Sequence, residues 1–191
     1  MQEFRDQGRY QVRFEWGEAG AKRIAHGVHA VVVVDELDGH GDASAAQLAA
    51  GIAQATASGG AAAPAVLCAT EASAADAASV ILRLQERLGD RCIIALVGAG
   101  SVDADGFRTA VEDHLAAGAV VDALAEAGID SSSPEAAAAC ASWQSLRRAT
   151  GHLLTASTSA RRSGEGAQDA RAQRAAHPAS VAVLREFSAP A

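Results

Sequence analysis

Five consecutive apolar residues, Ala30 to Val34, run directly into Asp35, Glu36 and Asp38. Four of the five are β-branched valines and none is polar, so the segment predicts a short strand buried on both faces. A strand with no wet face needs a layer of structure on each side, which points to a parallel sheet flanked by helices. In such sheets ligands sit beyond the carboxyl ends of the strands. Asp35, Glu36 and Asp38, with His40 and Asp42 close behind, are therefore the first place to expect chemistry.

The rest of the chain alternates in the way that architecture requires. Tyr10 to Trp16 places Tyr10, Val12, Phe14 and Trp16 on one face and Gln11, Arg13 and Glu15 on the other, which predicts a strand with one wet face, at an edge or antiparallel to its neighbours. Glu18 to Ala25 reads as a short helix closed by Gly27. Asp42 or Ser44 can cap a helix that runs to about Ser58, with Leu48 and Ile52 inward. Residues 59–64 form a glycine- and proline-marked connection, and Ala65 to Ala69 is a second apolar strand. Ser73 with Asp76 opens a helix that turns Val80, Ile81, Leu84 and Leu88 inward. Cys92 to Val97 is a third buried strand. A long helix is expected from about Ala104 to Ala127, with Val111, Leu115, Ala119 and Leu124 inward and Gly128 closing it. Ser133-Pro134-Glu135 starts another, reaching about Ala156. Thr155 to Gln173 reads as a loop ending in a loose helix, and Val181 to Leu184 as a last strand. The expected fold is a single α/β domain, residues 1–191, with a mostly parallel sheet flanked by helices.

Composition narrows the function classes. A net charge of −7 spread along the chain argues against tracking a nucleic-acid backbone, and 4% aromatic residues leave few platforms for stacking bases. Cys68, Cys92 and Cys140 are widely spaced, in apolar or helical contexts, and predict reduced, buried thiols of a cytoplasmic protein. The polar, mixed-charge opening Met1 to Gln7 does not read as a signal peptide. No apolar run approaches the roughly 20 residues of a membrane span.

Three constellations can carry chemistry. Hard oxygen ligands at the mouth of a sheet suit Mg2+, although Asp42 would equally serve as a helix cap in a solvated loop. Gly98-Ala99-Gly100-Ser101, after a buried strand, allows backbone N–H groups and a hydroxyl to approach an anion, and a plain turn explains the same residues. Glu112 and Asp113 precede Gly118 inside a helix, where a glycine costs about 1 kcal/mol relative to alanine and calls for close packing or close ligand approach. Adjacent acids on a helix usually face solvent, and His114 shares that default. His26 and His29 flank a turn and read as surface residues. Ser131, Ser132 and Ser133 are explained by capping, and nothing has the order of a hydrolase triad.

Taken in order, several segments resemble the 2-phosphosulfolactate phosphatase (ComB-like) family in its actinobacterial-type form. They are Tyr10 to Gly20, Val31 to Asp35, Cys92 to Gly100, Phe107 to Asp113, Ala117 to Ala119, Ser133 to Ala136 and Val181 to Arg185. The resemblance implies that family's α/β fold and Mg2+-dependent hydrolysis of a small anionic phosphoester such as 2-phosphosulfolactate. It implies Asp35 as the catalytic acid, Asp35, Glu112 and Asp113 as metal ligands, and Gly98, Gly100 and Ser101 as phosphate-binding residues. A homo-oligomer is compatible with it. Nucleic acid and membrane are not expected partners. The chain departs from the family pattern after Asp35, where Glu36 to Gly41 carries more acid and fewer hydroxyls. The family's Asn-Gly-Ser/Thr phosphate loop has no counterpart either. The alternative is a catalytically inactive member acting as a binding or structural protein.

Overall fold

In the computed structural model, which describes residues 7–37, 45–56, 62–162 and 166–189, four parallel strands form the centre of a five-stranded sheet. They are β1 (Val12–Trp16), β2 (Ala30–Val34), β3 (Ala65–Ala69) and β4 (Ile94–Gly98), in the order β1-β4-β2-β3. The last strand of the chain, β7 (Ala182–Arg185), adds antiparallel to β3. The valine run behaves as its composition demands, since all five residues of β2 are buried in the middle of the sheet. A fully buried valine contributes about 1.5–3 kcal/mol, so this strand anchors the core.

Helices cover both faces. On one side α1 (Gly17–Ile24) and α2 (Ala45–Ala55) set Ala21, Ile24, Ala49 and Ile52 against Val31, Val33, Ala95 and Val97. On the other, α3 (Ala74–Leu88), α4 (Val111–Glu126) and α5 (Pro134–Leu146) meet Val32, Val34, Leu67, Ile94 and Leu96. Three short helices, α6 (Thr150–Ala156), α7 (Thr158–Arg162) and α8 (Gly166–Ala176), follow, and Leu154, Ala160 and Ala170 from them close over Leu37 just past β2.

The register makes the carboxyl ends flush: Trp16 pairs with Gly98, Gly98 with Val34, and Val34 with Ala69. The connection after β2 goes to the α1/α2 face, whereas that after β4 goes to the α3/α4 face. Neighbouring strands β2 and β4 therefore diverge at their carboxyl ends, which is where open α/β sheets place their crevice.

Several expectations need correction. The polar face of β1 is not wet, because Gln11 and Arg13 are only 5% and 6% exposed. Arg13 lies against the end of α1, where Nη1 donates to the carbonyls of Ile24 (3.0 Å) and His26 (3.1 Å). The cation thereby satisfies the orphan carbonyls of a helix terminus. His29 is likewise not a plain surface residue, since its Nδ1 accepts the Ile93 N–H at 2.9 Å.

The helix expected from Ala104 begins only at Val111. Residues 101–108 instead form a hairpin, β5 (Ser101–Asp103) and β6 (Gly106–Arg108). Asp105-Gly106 is a strong hairpin-turn signal, and Gly106 takes φ +120 just after the Ala104-Asp105 turn. Val111, expected inward, is exposed as a result. The helix from Ser133 stops at Leu146 and restarts at Thr150. In the segment from Thr155 to Gln173, α7 stands where a loop was expected, and α8 is the helix expected at its end. The capping expectations at Ser133 and Gly128 hold, with the Ser133 hydroxyl accepting the Ala136 N–H and Gly128 at φ +86. Ser73, in contrast, makes no side-chain cap to α3 and pairs with Thr70 around the 3-10 turn Glu71–Ser73.

Candidate functional site

Asp113 occupies the crevice between β2 and β4. It sits in the first turn of α4, the helix entering over the carboxyl end of the sheet, and is 2% exposed. Its Oδ1 accepts the Glu36 N–H at 2.9 Å and its Oδ2 accepts the Gly100 N–H at 2.8 Å. One carboxyl group thus ties the chain leaving β2 to the chain leaving β4. Gly100 takes φ +63, with Phe107 and the Arg108 carbonyl packed where a Cβ would lie, so only glycine presents its N–H in this way. Burial pushes the Asp113 carboxyl well above the ordinary aspartate value. The negative charges of Asp35 and Glu112 add to that rise, while the two backbone N–H donors pull against it.

The other acids after β2 are also tied into the fold. Asp35 Oδ2 accepts the Ala45 N–H at 3.1 Å, at the start of α2. Glu36 is 2% exposed; its Oε2 accepts the Glu71 N–H at 2.8 Å and its Oε1 lies 3.5 Å from His177 Nδ1. Arg174 completes this corner by donating to Glu71 (2.6 Å) and to the Thr150 hydroxyl (3.1 Å). Asp38, His40 and Asp42 lie outside the described residues.

The glycine turn offers few free donors. The Ala99 N–H is held by the Val34 carbonyl and the Gly100 N–H by Asp113, while Gly98 is the last residue of β4 with the Trp16 ring against it. Of Gly98, Gly100 and Ser101, it is Ser101 that reaches an open space.

That space is a cavity of about 220 Å3 between the β5–β6 hairpin, the start of α4 and α7. Its polar wall includes Ser101, Arg108, Glu112, Thr158, Ser159 and Arg162. Glu112 is 4% exposed and, among the described residues, makes no hydrogen bond or ion pair. Its side chain lines this cavity, so a cation arriving there would meet a carboxylate that has no other partner to give up. Asp103 joins the two arginines: it lies 3.6 Å from Arg108 and is hydrogen-bonded by Arg162. Arg108, Arg162 and Ser159 escaped the sequence reading because the hairpin was read as helix and α7 as loop. The Asp105-Gly106 pair was the one signal that could have found the hairpin.

The three expected metal ligands do not converge. Among the described residues no three His, Cys, Asp or Glu side chains are placed to hold one ion. Asp35 lines a different cleft, of about 270 Å3, with Cys68, Ser73 and His177. Both oxygens of Asp113 already accept N–H groups. The donor set fits a Mg2+ ion only in the form such ions commonly take with phosphates, with one carboxylate, here Glu112, and the remaining positions filled by water and phosphate oxygen. Among the described residues no helix is long and apolar enough to cross a membrane, and the three cysteines are free thiols. Burial raises the Cys92 thiol to about 12, which leaves it unreactive.

Compared with known protein families and with curated proteins, the chain matches none.

Proposed function

We propose that this chain is a Mg2+-dependent phosphatase of small phosphoesters, working in the cavity between the hairpin, α4 and α7. The observation that carries the reading is Glu112, a residue 4% exposed that makes no hydrogen bond or ion pair among the described residues and lines one cavity together with arginines and hydroxyls. A ligand that completes such a site brings positive charge to Glu112 and negative charge to the arginines, and a metal-bound phosphate does both. When bound, Mg2+ would neutralise phosphate charge and orient a water for in-line attack. Glu112 would hold the ion, and Ser101 would donate to a phosphate oxygen. Asp113 keeps the ends of β2 and β4 at fixed separation, so that Ser101 and Glu112 face the same volume. Asp35, whose negative charge acts on Asp113, is the acid the family resemblance assigns to catalysis.

Phosphate release from a panel of small phosphoesters, including phosphosulfolactate and phospholactate, tests the reading. Mg2+-dependent release is expected from the wild type, with a loss of at least a hundredfold in Glu112→Gln. Release that survives Glu112→Gln overturns the assignment of the site.

A second reading, a binding or structural protein without turnover, is favoured by Asp113. Both of its oxygens are engaged by backbone N–H groups, the arrangement of a strut. Absence of release across the panel, from folded protein, selects it.

A further inference from the structure

Part of the phosphate-binding equipment that the family resemblance implies has no counterpart in this chain. The segment after Asp35 carries fewer hydroxyl and cationic groups than the family pattern, and the backbone N–H groups of Ala99 and Gly100 are spent inside the protein. We infer that oxyanion binding in this chain falls to other groups lining the cavity, where Arg108 from β6 and Arg162 from α7 form a clamp for a phosphate group, with Ser101 and Ser159 as hydroxyl donors. The inference rests on the same cavity as the proposed function but does not need the metal or the reaction.

Four observations lead there. The two guanidinium groups come from segments 54 residues apart in sequence (162 − 108) and converge on one carboxylate, Asp103. Arg162 uses one N–H on Asp103, and Arg108, at 3.6 Å, is within ion-pair distance only. A guanidinium has five N–H donors, so most of the donor capacity of the pair is unspent. The side chains of Arg108 and Arg162 are 52% and 46% exposed and line the cavity, whereas that of Asp103, on which they converge, is only 16% exposed. Finally, Ser101 and Ser159 are 9% and 8% exposed and line the same space.

Planar guanidinium forks match the paired oxygens of phosphate, and charge-assisted bonds of this type are about twice as strong as neutral ones. The cavity of about 220 Å3 suits a phosphate bearing a small organic group rather than a nucleotide. Asp103 is already paired with both arginines, so it holds them in place before a ligand arrives and lowers the loss of side-chain freedom on binding.

The test uses inorganic phosphate as the probe, in the presence of EDTA, with binding followed by phosphorus NMR line broadening and by calorimetry. Wild-type protein is expected to bind phosphate, and Arg108→Gln and Arg162→Gln are each expected to weaken binding at least tenfold. Both arginines are surface-reaching, so the variants should fold, which circular dichroism checks. Arg83→Gln, on α3, serves as a control that should bind like the wild type. No phosphate binding by folded wild-type protein overturns the clamp, as does binding unchanged in both arginine variants. Equal binding of sulfate and phosphate supports an oxyanion clamp that reads charge and shape, whereas tighter sulfate than phosphate overturns a phosphate site. Phosphate binding without phosphoester hydrolysis would uphold the clamp and remove the proposed enzyme. Hydrolysis that persists in Arg108→Gln and Arg162→Gln would do the reverse.

Discussion

Asp113→Ala is expected to lower the unfolding free energy by about 2–4 kcal/mol, because each buried donor left without an acceptor costs about 1–3 kcal/mol. The substitution orphans the N–H of Glu36, which is fully buried, and that of Gly100, which is partly so. It also cuts a side-chain link across the crevice between β2 and β4. The penalty should depend on pH with a definite sign. Because the carboxyl value is raised in the folded protein, the folded state binds more protons than the unfolded state above the ordinary aspartate value. Wild-type stability from this group therefore falls as pH rises through that window. The penalty of Asp113→Ala should be largest at the acid end, near pH 4, and smaller at neutral pH. Urea denaturation at a series of pH values measures both parts, and amide exchange should quicken at Glu36 and Gly100. A penalty below about 0.5 kcal/mol throughout would mean that water replaces the carboxyl without loss and that the clamp is not structural.

Gly118→Ala should be nearly as damaging, against the trend of helix propensity. Alanine in a helix interior is favoured over glycine by about 1 kcal/mol. Here a Cβ would stand 2.2 Å from the Ala139 carbonyl oxygen and 2.7 Å from the Trp143 Cβ, where α4 crosses α5. The nearest obstacle is backbone, so the two helices must separate. Overpacking of this kind costs about 1–3 kcal/mol and occasionally more, and a backbone clash belongs at the upper end. A net loss of about 2–3 kcal/mol would lower Tm by roughly 4–12 °C in a chain of this size. Thermal unfolding followed by circular dichroism reads it. An unchanged or raised Tm would show that α5 shifts freely and that the glycine serves some other purpose.

Gly118 also shows how far the sequence reaches. Its cost in a helix called for either close packing or a close ligand, and the α4–α5 crossing supplies the former. The valine run gave β2 and its burial, because a strand with no polar residue has only one place to go. Glu112 and Asp113 show where local pattern fails. Two adjacent acids at a helix start look like a solvated first turn, and nothing in their spacing tells that the helix begins over the crevice with both groups 4% exposed or less. Arg13 failed for the same reason, since its alternation with apolar residues is that of a wet face until the end of α1 covers it. The arginine pair was hidden more completely. It depends on a hairpin whose Ala104-Asp105 turn, followed by Gly106, interrupts an otherwise helix-like stretch, and on a short helix far along the chain. Such convergence is tertiary, and no local period records it.

Glu112 and the arginine pair are expected to hold metal and phosphate as one unit. Calorimetric titration of Mg2+, with and without saturating inorganic phosphate, measures this directly, because coupling between two ligands is reciprocal in free energy. Phosphate is expected to tighten Mg2+ binding by about tenfold or more, a coupling of roughly 1.4 kcal/mol, and Glu112→Gln should abolish that gain while leaving metal-free phosphate binding in place. Mg2+ binding that ignores phosphate, or a gain that persists in Glu112→Gln, would contradict the account.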